Sequence, residues 1–267
     1  MRKILLKVFL ILISMSVVLI ACKKEGAVSD EKQQISQDVL DKIHALGFTN
    51  KNVQLHEEGY LVEGDIVITE EHLNSKPESL FLRVGDEEQY RTTNTVTGLP
   101  RNITIRVSSS LPSRYRTATD AAISRYNARG LRITMSRVTS GGNILISAAP
   151  SGAGYLASAG FPSSSGNPYS SVRVNRSYLD TWNINTVTSI IAHEVGHCIG
   201  FRHTDFMNRS YSCGGSPVNE GASSVGAIHI PGTPTGPSSG SWMLACIGNG
   251  TNRPFTSSDV TALNYVY

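Results

Sequence analysis

The alternation of apolar and polar positions changes rhythm several times along the chain, and each rhythm predicts an element. Ile35, Val39, Leu40 and Ile43 recur at helical spacing and predict a short helix over residues 35 to 45. Val53 to Thr69 alternates loosely and contains the β-rich run from Tyr60 to Ile68, after which Thr69-Glu70-Glu71-His72 has the form of a helix start with acids in its first turn. From Asn102 to Val107, Ile and Val alternate with polar residues, which predicts a strand. Thr117 to Arg129 predicts a helix that turns Ala118, Ala121, Ala122 and Ile123 inward and stops at Gly130. Further strands are expected at Leu131 to Val138, Asn143 to Ser147 and Ser171 to Val174. Ala149 to Pro168, rich in Gly, Ser, Ala and Pro, reads as a long surface or binding loop. A helix follows over about Thr186 to Gly200. Phe201 to Phe255 has almost no periodicity, and Ser257 or Ser258 then caps a closing helix with Val260, Leu263 and Val266 on one side. This order describes an α+β fold with a twisted mixed sheet and an irregular C-terminal part.

Charge divides the chain more sharply than its net value of +3 suggests. Residues 25 to 91 hold fifteen Asp and Glu against six Lys and Arg, a balance of −9. Residues 92 to 267 hold six acids against thirteen bases, all Arg, a balance of +7. The arginines are scattered singly, with no aromatic or Gly-rich RNA motif beside them, so nucleic acid is not an expected partner. The division suits an acidic segment of residues 35–91 facing a basic domain of residues 101–267, with residues 92–100 as linker. A monomer is expected.

Met1 to Lys7 forms a charged start, and the apolar run from Val8 to Ala21 is too short for a bilayer span. Residues 1–21 therefore read as a signal peptide. Leu19-Ile20-Ala21-Cys22 resembles the lipobox of bacterial lipoproteins, which implies acylation of Cys22 and a tether over residues 22–34. Without an Asp next to Cys22, the resemblance places the chain in the cell envelope, on the outer membrane or cell surface, with release after processing as an alternative. The remaining cysteines, Cys198, Cys213 and Cys246, allow three alternative disulfides in an oxidising compartment, and spacing does not choose among them.

The stretch from His193 to His203 carries the chemistry. His193 and His197 lie four apart on a helix and so project from one face. Glu194 sits beside them. His203 would point away from that face on a continuous helix, but Gly200 allows the chain to reverse through positive φ and return the third imidazole from below. Three neutral imidazoles leave one tetrahedral position open, the arrangement of a catalytic Zn2+ site. Glu194 is placed to take a proton from water and pass it to a leaving amine. A metal staple would not require this acid.

His193-Glu194-Val195-Gly196-His197-Cys198-Ile199-Gly200-Phe201-Arg202-His203 resembles the metzincin signature, HExxHxxGxxH. With Ile228-His229-Ile230-Pro231-Gly232-Thr233-Pro234, it is most similar to the dual-action HEIGH metallopeptidases. The resemblance implies a metzincin-type domain that cleaves peptide bonds in proteins as a zinc endopeptidase. It also implies a methionine turn under the metal, for which Met243 in Ser241-Trp242-Met243-Leu244-Ala245 is the candidate, and an edge strand near Asn143 to Ser147 that pairs with substrate. Astacins carry a tyrosine where this chain has Ala245, so tyrosine assistance from that position is not expected. Glu63-Gly64-Asp65-Ile66 resembles the astacin propeptide motif, in which an aspartate occupies the metal's open position. Asp65 is thus a candidate latency ligand, with a simple turn aspartate as the alternative. Asp205 is expected to orient His203, to tie down the irregular part, or to be a solvated turn residue. His229 is a candidate for the pocket wall. Two further readings compete: a surface binding protein in which zinc is only a staple, and a hydrolase of envelope glycans or peptidoglycan.

Overall fold

The computed structural model describes residues 34–74, 89–217, 219, 227–234 and 236–267. The chain forms two units, residues 1–34 and residues 35–267, and all the described helices and strands belong to the second. Cys22, the signal peptide and nearly all of the tether lie outside the described residues.

The acidic segment begins with helix α1 (Gln37–Ala45), capped by the Ser36 hydroxyl, which accepts from the Val39 N–H. Strands β1 (Gln54–His56), β2 (Gly59–Val62) and β3 (Ile66–Ile68) then form an antiparallel meander, and α2 (Glu70–Leu73) follows with Thr69 as its cap. Ile43, Phe48, Val62, Ile66, Ile68 and Leu73 form a small core of their own. Phe161 from the following domain joins that core and stacks on Phe48 at 5.8 Å.

After β4 (Tyr90–Arg91), the larger sheet is built from β5 (Arg101–Val107), β6 (Ile133–Val138), β7 (Ile144–Ala148), β8 (Ala157–Gly160) and β9 (Ser171–Val174). Its spatial order is β1-β2-β3-β8-β9-β7-β5-β6. β5, β6, β7 and β9 are mutually parallel, β8 runs antiparallel to β9, and β3 pairs parallel with β8. Two expectations need correction. The strand near Asn143 to Ser147 is not an edge, because β7 is hydrogen-bonded to β5 on one side and β9 on the other. The loop expected over Ala149 to Pro168 contains β8, which flanks the five-stranded part and is itself covered by β3. Its sequence, Ala-Ser-Ala-Gly, has only small residues and no β-branched or aromatic one, so no local preference announces it.

Helix α3 (Ser113–Asn127) buries Tyr115, Ala118, Thr119, Ala122, Ile123 and Tyr126, a stripe at helical spacing. Ala121, expected inward, is exposed. The helix starts one turn before Thr117, directly after Pro112, and this first turn carries the fully buried Tyr115. Helix α3 packs on α5 (Ile184–Cys198), which follows the single turn α4 (Arg176–Leu179). The chain from Phe201 to Phe255 has only α6 (Ser210–Cys213) and β10 (Ile228–His229) among its described residues, in keeping with its weak periodicity. Helix α7 (Ser257–Val266) closes the fold. Its cap is Thr256, whose hydroxyl accepts from Asp259 N–H while the Asp259 carboxylate accepts from Thr256 N–H. Residues 92–100, expected as a linker, lie in the same unit with Thr92 and Val96 buried.

Candidate metal centre and its surroundings

Helix α5 is buried from Thr186 to Cys198. Its C-terminus explains how the third histidine returns. Gly200 has φ +105°, and Phe201 N–H donates to the Gly196 carbonyl while Gly200 N–H donates to that of His197. These two bonds form a Schellman motif. A side chain at Gly200 would also meet the Asn94 carbonyl oxygen at 2.8 Å. The reversal lets His203 close on His193 and His197, with ring centroids 5.3 and 4.9 Å away.

The imidazoles are fixed by the carbonyls behind them. His193 Nδ1 lies 2.8 Å from the Trp242 carbonyl oxygen, and His197 Nδ1 lies 2.7 Å from that of Phe201. A carbonyl can only accept, so each Nδ1 carries the proton and each Nε2 presents a lone pair. Both Nε2 atoms are buried with no hydrogen-bond partner. Burial and the two neighbouring imidazoles push His197 well below the ordinary histidine pKa, favouring its neutral form.

Asp65 completes the group: one ligand atom from each of Asp65, His193, His197 and His203 lies within 4.8 Å of the others. Asp65 Oδ2 is 3.2 Å from His203 Nε2 and 3.6 Å from His193 Nε2. Ligands at about 2.0–2.1 Å from a tetrahedral zinc stand roughly 3.3–3.4 Å apart, so these edges fit that ion. Burial alone would raise the Asp65 pKa, but the imidazoles of His203, His193 and His197 outweigh it and hold the carboxyl well below its usual range. Glu194, 2% exposed, goes the other way: burial, reinforced by the negative charge of Asp65, pushes its carboxyl well up.

Met243 is fully buried against α5. Gly196 makes this possible, since a Cβ there would meet Met243 Sδ and Trp242 Cζ3 at 2.6 Å. The turn that holds Met243 therefore touches the helix between His193 and His197, and the Trp242 carbonyl orients His193. Asp205 does not reach His203 through any described hydrogen bond. It accepts from Ala245 N–H at 2.9 Å and from the Ser212 hydroxyl, tying α6 to the methionine turn. Cys213 and Cys246 form a disulfide in the same region, leaving Cys198 buried and free. His229 faces Tyr90 and bonds to Thr233 Oγ1 at 3.0 Å; it does not line the cavity beside the metal centre.

The contacts that hold Asp65 in place were not foreseen. Residues Glu63, Gly64 and Asp65 form the tip of the β2–β3 hairpin, with Glu63 at φ 54° and Gly64 at φ +91°. Glu63, two residues before Asp65, ion-pairs with Arg202, and both side chains are fully buried. The Arg202 guanidinium also lies 4.3 Å from the centre of the Phe48 ring and donates to the Gly47 carbonyl. Arg209 donates to the Glu63 carbonyl. The signal for Arg202 was present in the sequence: an arginine between Phe201 and His203, inside a metal motif, needs a buried counter-charge.

A cavity of about 270 Å³ opens beside His193 and Glu194, with Leu156, Ile190, Leu244, Arg209 and Arg253 in its wall. With Asp65 in place the ligand set is closed; without it, the three histidine nitrogens would leave one position of a bound ion facing Glu194 and the cavity, the arrangement of a catalytic site.

No curated protein matches the chain. Two solved structures of myroilysin are similar to it: one at 14% identity and a TM-score of 0.42 over 65% of this chain and 82% of that one, the other at 15% and 0.40 over 63% and 83%. The model of the dual-action HEIGH metallo-peptidases matches residues 60–267, most of the chain. With a histidine and aspartate cluster that fits the zinc its relatives imply, the chain belongs to the dual-action HEIGH metallo-peptidase family of zinc peptidases.

Proposed function

We propose that this zinc peptidase is an endopeptidase made as a latent lipoprotein precursor, with Glu194 as its general base and Asp65 as the ligand that blocks it. One observation carries the reading: the Asp65 carboxylate lies on the shared face of His193, His197 and His203, where a water needed for hydrolysis would otherwise enter.

When bound, zinc supplies Lewis-acid chemistry, acidifying water and polarising a peptide carbonyl. His193, His197 and His203 would hold the ion, and the carbonyls of Trp242 and Phe201 keep two of these rings in the tautomer that offers Nε2 to it. Glu194 then accepts a proton from the attacking water and delivers it to the leaving amine. Burial and Asp65 raise its carboxyl pKa, and moving Asp65 away removes the second of these causes. Latency is reinforced by β3, whose parallel pairing with β8 covers the flank of the larger sheet. Membrane attachment through Cys22 rests on the lipobox-like sequence, and the substrate is a protein or peptide.

Casein cleavage by the full chain, with Asp65→Ala and Asp65→Ala/Glu194→Gln beside it, tests the proposal. Asp65→Ala raises chelator-sensitive cleavage at least tenfold, and the second substitution abolishes it. Equal activity of the unaltered chain and Asp65→Ala would remove Asp65 as the block, and persistent cleavage with Glu194→Gln would remove Glu194 as the base.

A further inference from the structure

Gln89, which leads into β4, is fully buried. Its side-chain amide donates to Asp259 Oδ1 at 2.7 Å and to Ser241 Oγ at 3.3 Å, partners 170 and 152 residues further along the chain. The amide oxygen Oε1 at the same end of the side chain has no hydrogen-bond partner. A buried amide that is only half satisfied costs stability that an apolar side chain of the same size would not. Packing therefore does not account for a glutamine here, whereas its donor does.

Asp259 is fully buried in the first turn of α7 and forms no salt bridge among the described residues. Neutral donors satisfy it. Oδ1 accepts from the Ser241 hydroxyl at 2.7 Å and from Gln89, and Oδ2 accepts from the N–H groups of Thr256 at 2.8 Å and Trp242 at 3.3 Å. Ser241 Oγ in turn accepts from Met243 N–H at 3.3 Å. The methionine turn is thus held at three successive residues, and the middle one is Trp242, whose carbonyl oxygen lies 2.8 Å from His193 Nδ1. Asp259 grips one side of this residue and His193 leans on the other, so a shift of Asp259 reaches the metal ligand across a single residue.

The chain that follows Gln89 braces a second ligand. The Gln89 carbonyl accepts from Ile230 N–H at 2.8 Å, the Tyr90 carbonyl accepts from Arg202 N–H at 2.9 Å, and Thr92 N–H donates to the Gly200 carbonyl at 2.8 Å. Residues 89–92 therefore support both the carbonyl behind His193 and the reversal that returns His203. Every one of these partners lies between Gly200 and Asp259, in the metal domain.

We propose that Gln89 is a positioning residue of the metal centre, acting on His193 through Asp259 and the methionine turn, and that the cut which frees the centre from Asp65 leaves Gln89 on the catalytic side. The first half stands on the zinc site alone, and the second rests on the latency reading. Two substitutions in the full chain carrying Asp65→Ala separate the donor from the volume it fills. Gln89→Met keeps the size and removes the donor, and Gln89→Lys keeps a donor for Asp259 and Ser241. The readouts are zinc affinity by chelator competition, the visible spectrum of the cobalt-substituted protein, and the urea midpoint. Gln89→Met is expected to weaken zinc binding about tenfold or more and to alter the cobalt spectrum, while Gln89→Lys stays within about threefold and keeps the parent spectrum. Unchanged zinc affinity and spectrum in Gln89→Met, whatever its urea midpoint, overturns the positioning role, as does an equal loss in Gln89→Met and a folded Gln89→Lys. The first residue of a processed form that cleaves casein, read by intact mass, is expected at Gln89 or before it; an active form that begins at Tyr90 or later overturns the proposal. Zinc affinity is read without substrate, so zinc-loaded protein that cleaves nothing counts against the endopeptidase reading and not against this one.

Discussion

The buried pair between Glu63 and Arg202 predicts how tightly the acidic segment is coupled to the metal domain. Both side chains are fully buried, and Arg202 is further enclosed by Phe48 and the Gly47 carbonyl. Arg202→Met leaves Glu63 as a buried charge without its main partner, at a cost of about 3–5 kcal/mol. Replacing both residues, as in Glu63→Met/Arg202→Met, removes the stranded charge and recovers most of that loss, because a well-packed apolar pair is often neutral relative to a buried ion pair. The two single changes therefore do not add, and the coupling energy of the cycle is on the order of 3 kcal/mol. The assay is urea unfolding of the full chain and its three variants, followed by tryptophan fluorescence. Trp242 is a suitable probe because it is almost fully buried and packs at 5.4 Å from Phe201, the neighbour of Arg202. In Arg202→Met the midpoint falls sharply, and in the double variant it returns most of the way. Additive losses, with no coupling within error, would refute the claim that this pair is an interaction on which the segment depends.

Other expectations concern separate parts of the fold. Gly196→Ala gains up to about 1 kcal/mol of helix propensity but forces a Cβ to within 2.6 Å of Met243 and Trp242. Overpacking of about 1–3 kcal/mol outweighs this gain, and chelator competition should show weaker zinc binding because the Trp242 carbonyl that orients His193 must move. Replacing Cys213 and Cys246 with Ser opens a crosslink between residues 33 apart and lowers stability by about 3–4 kcal/mol on the loop-entropy estimate, read as a shift in the denaturation midpoint. Burial would raise the Glu58 pKa, but bonds from Tyr169, Ser171 and Arg173 prevail and lower it in the folded chain. The stability it contributes is therefore present above its ordinary value of 4.5 and lost as pH falls below that value. Glu58→Gln should flatten the acid limb of a stability–pH curve, and an unchanged limb would count against the interaction.

The parts of this architecture that were readable from sequence are those in which local chemistry and tertiary role coincide. His193, His197 and Gly200 announce a helix, a shared face and a reversal because all three facts are local to α5. Strand β5 was readable because its buried face alternates with a solvated one. Strand β8 was not: its four small residues are all buried, and the packing of Tyr169 and the Val67 carbonyl within 3 Å of a side chain at Gly160 explains why they are small. The same limit applies to β7, whose sequence shows a strand but not its two neighbours. The pairing of Glu63 was not readable, although the residue stands in the motif around Asp65, because its partner Arg202 is distant in the chain.

The central claim is that Asp65 shares an ion with His193, His197 and His203 in the unprocessed chain. Anomalous diffraction at the zinc edge from crystals of the full chain tests it most directly. The prediction is one peak at about 2.0–2.2 Å from His193 Nε2, His197 Nε2, His203 Nε2 and an Asp65 carboxylate oxygen. A zinc peak bound by the three histidines with solvent in place of Asp65, or no peak between these side chains in zinc-loaded crystals, would contradict it.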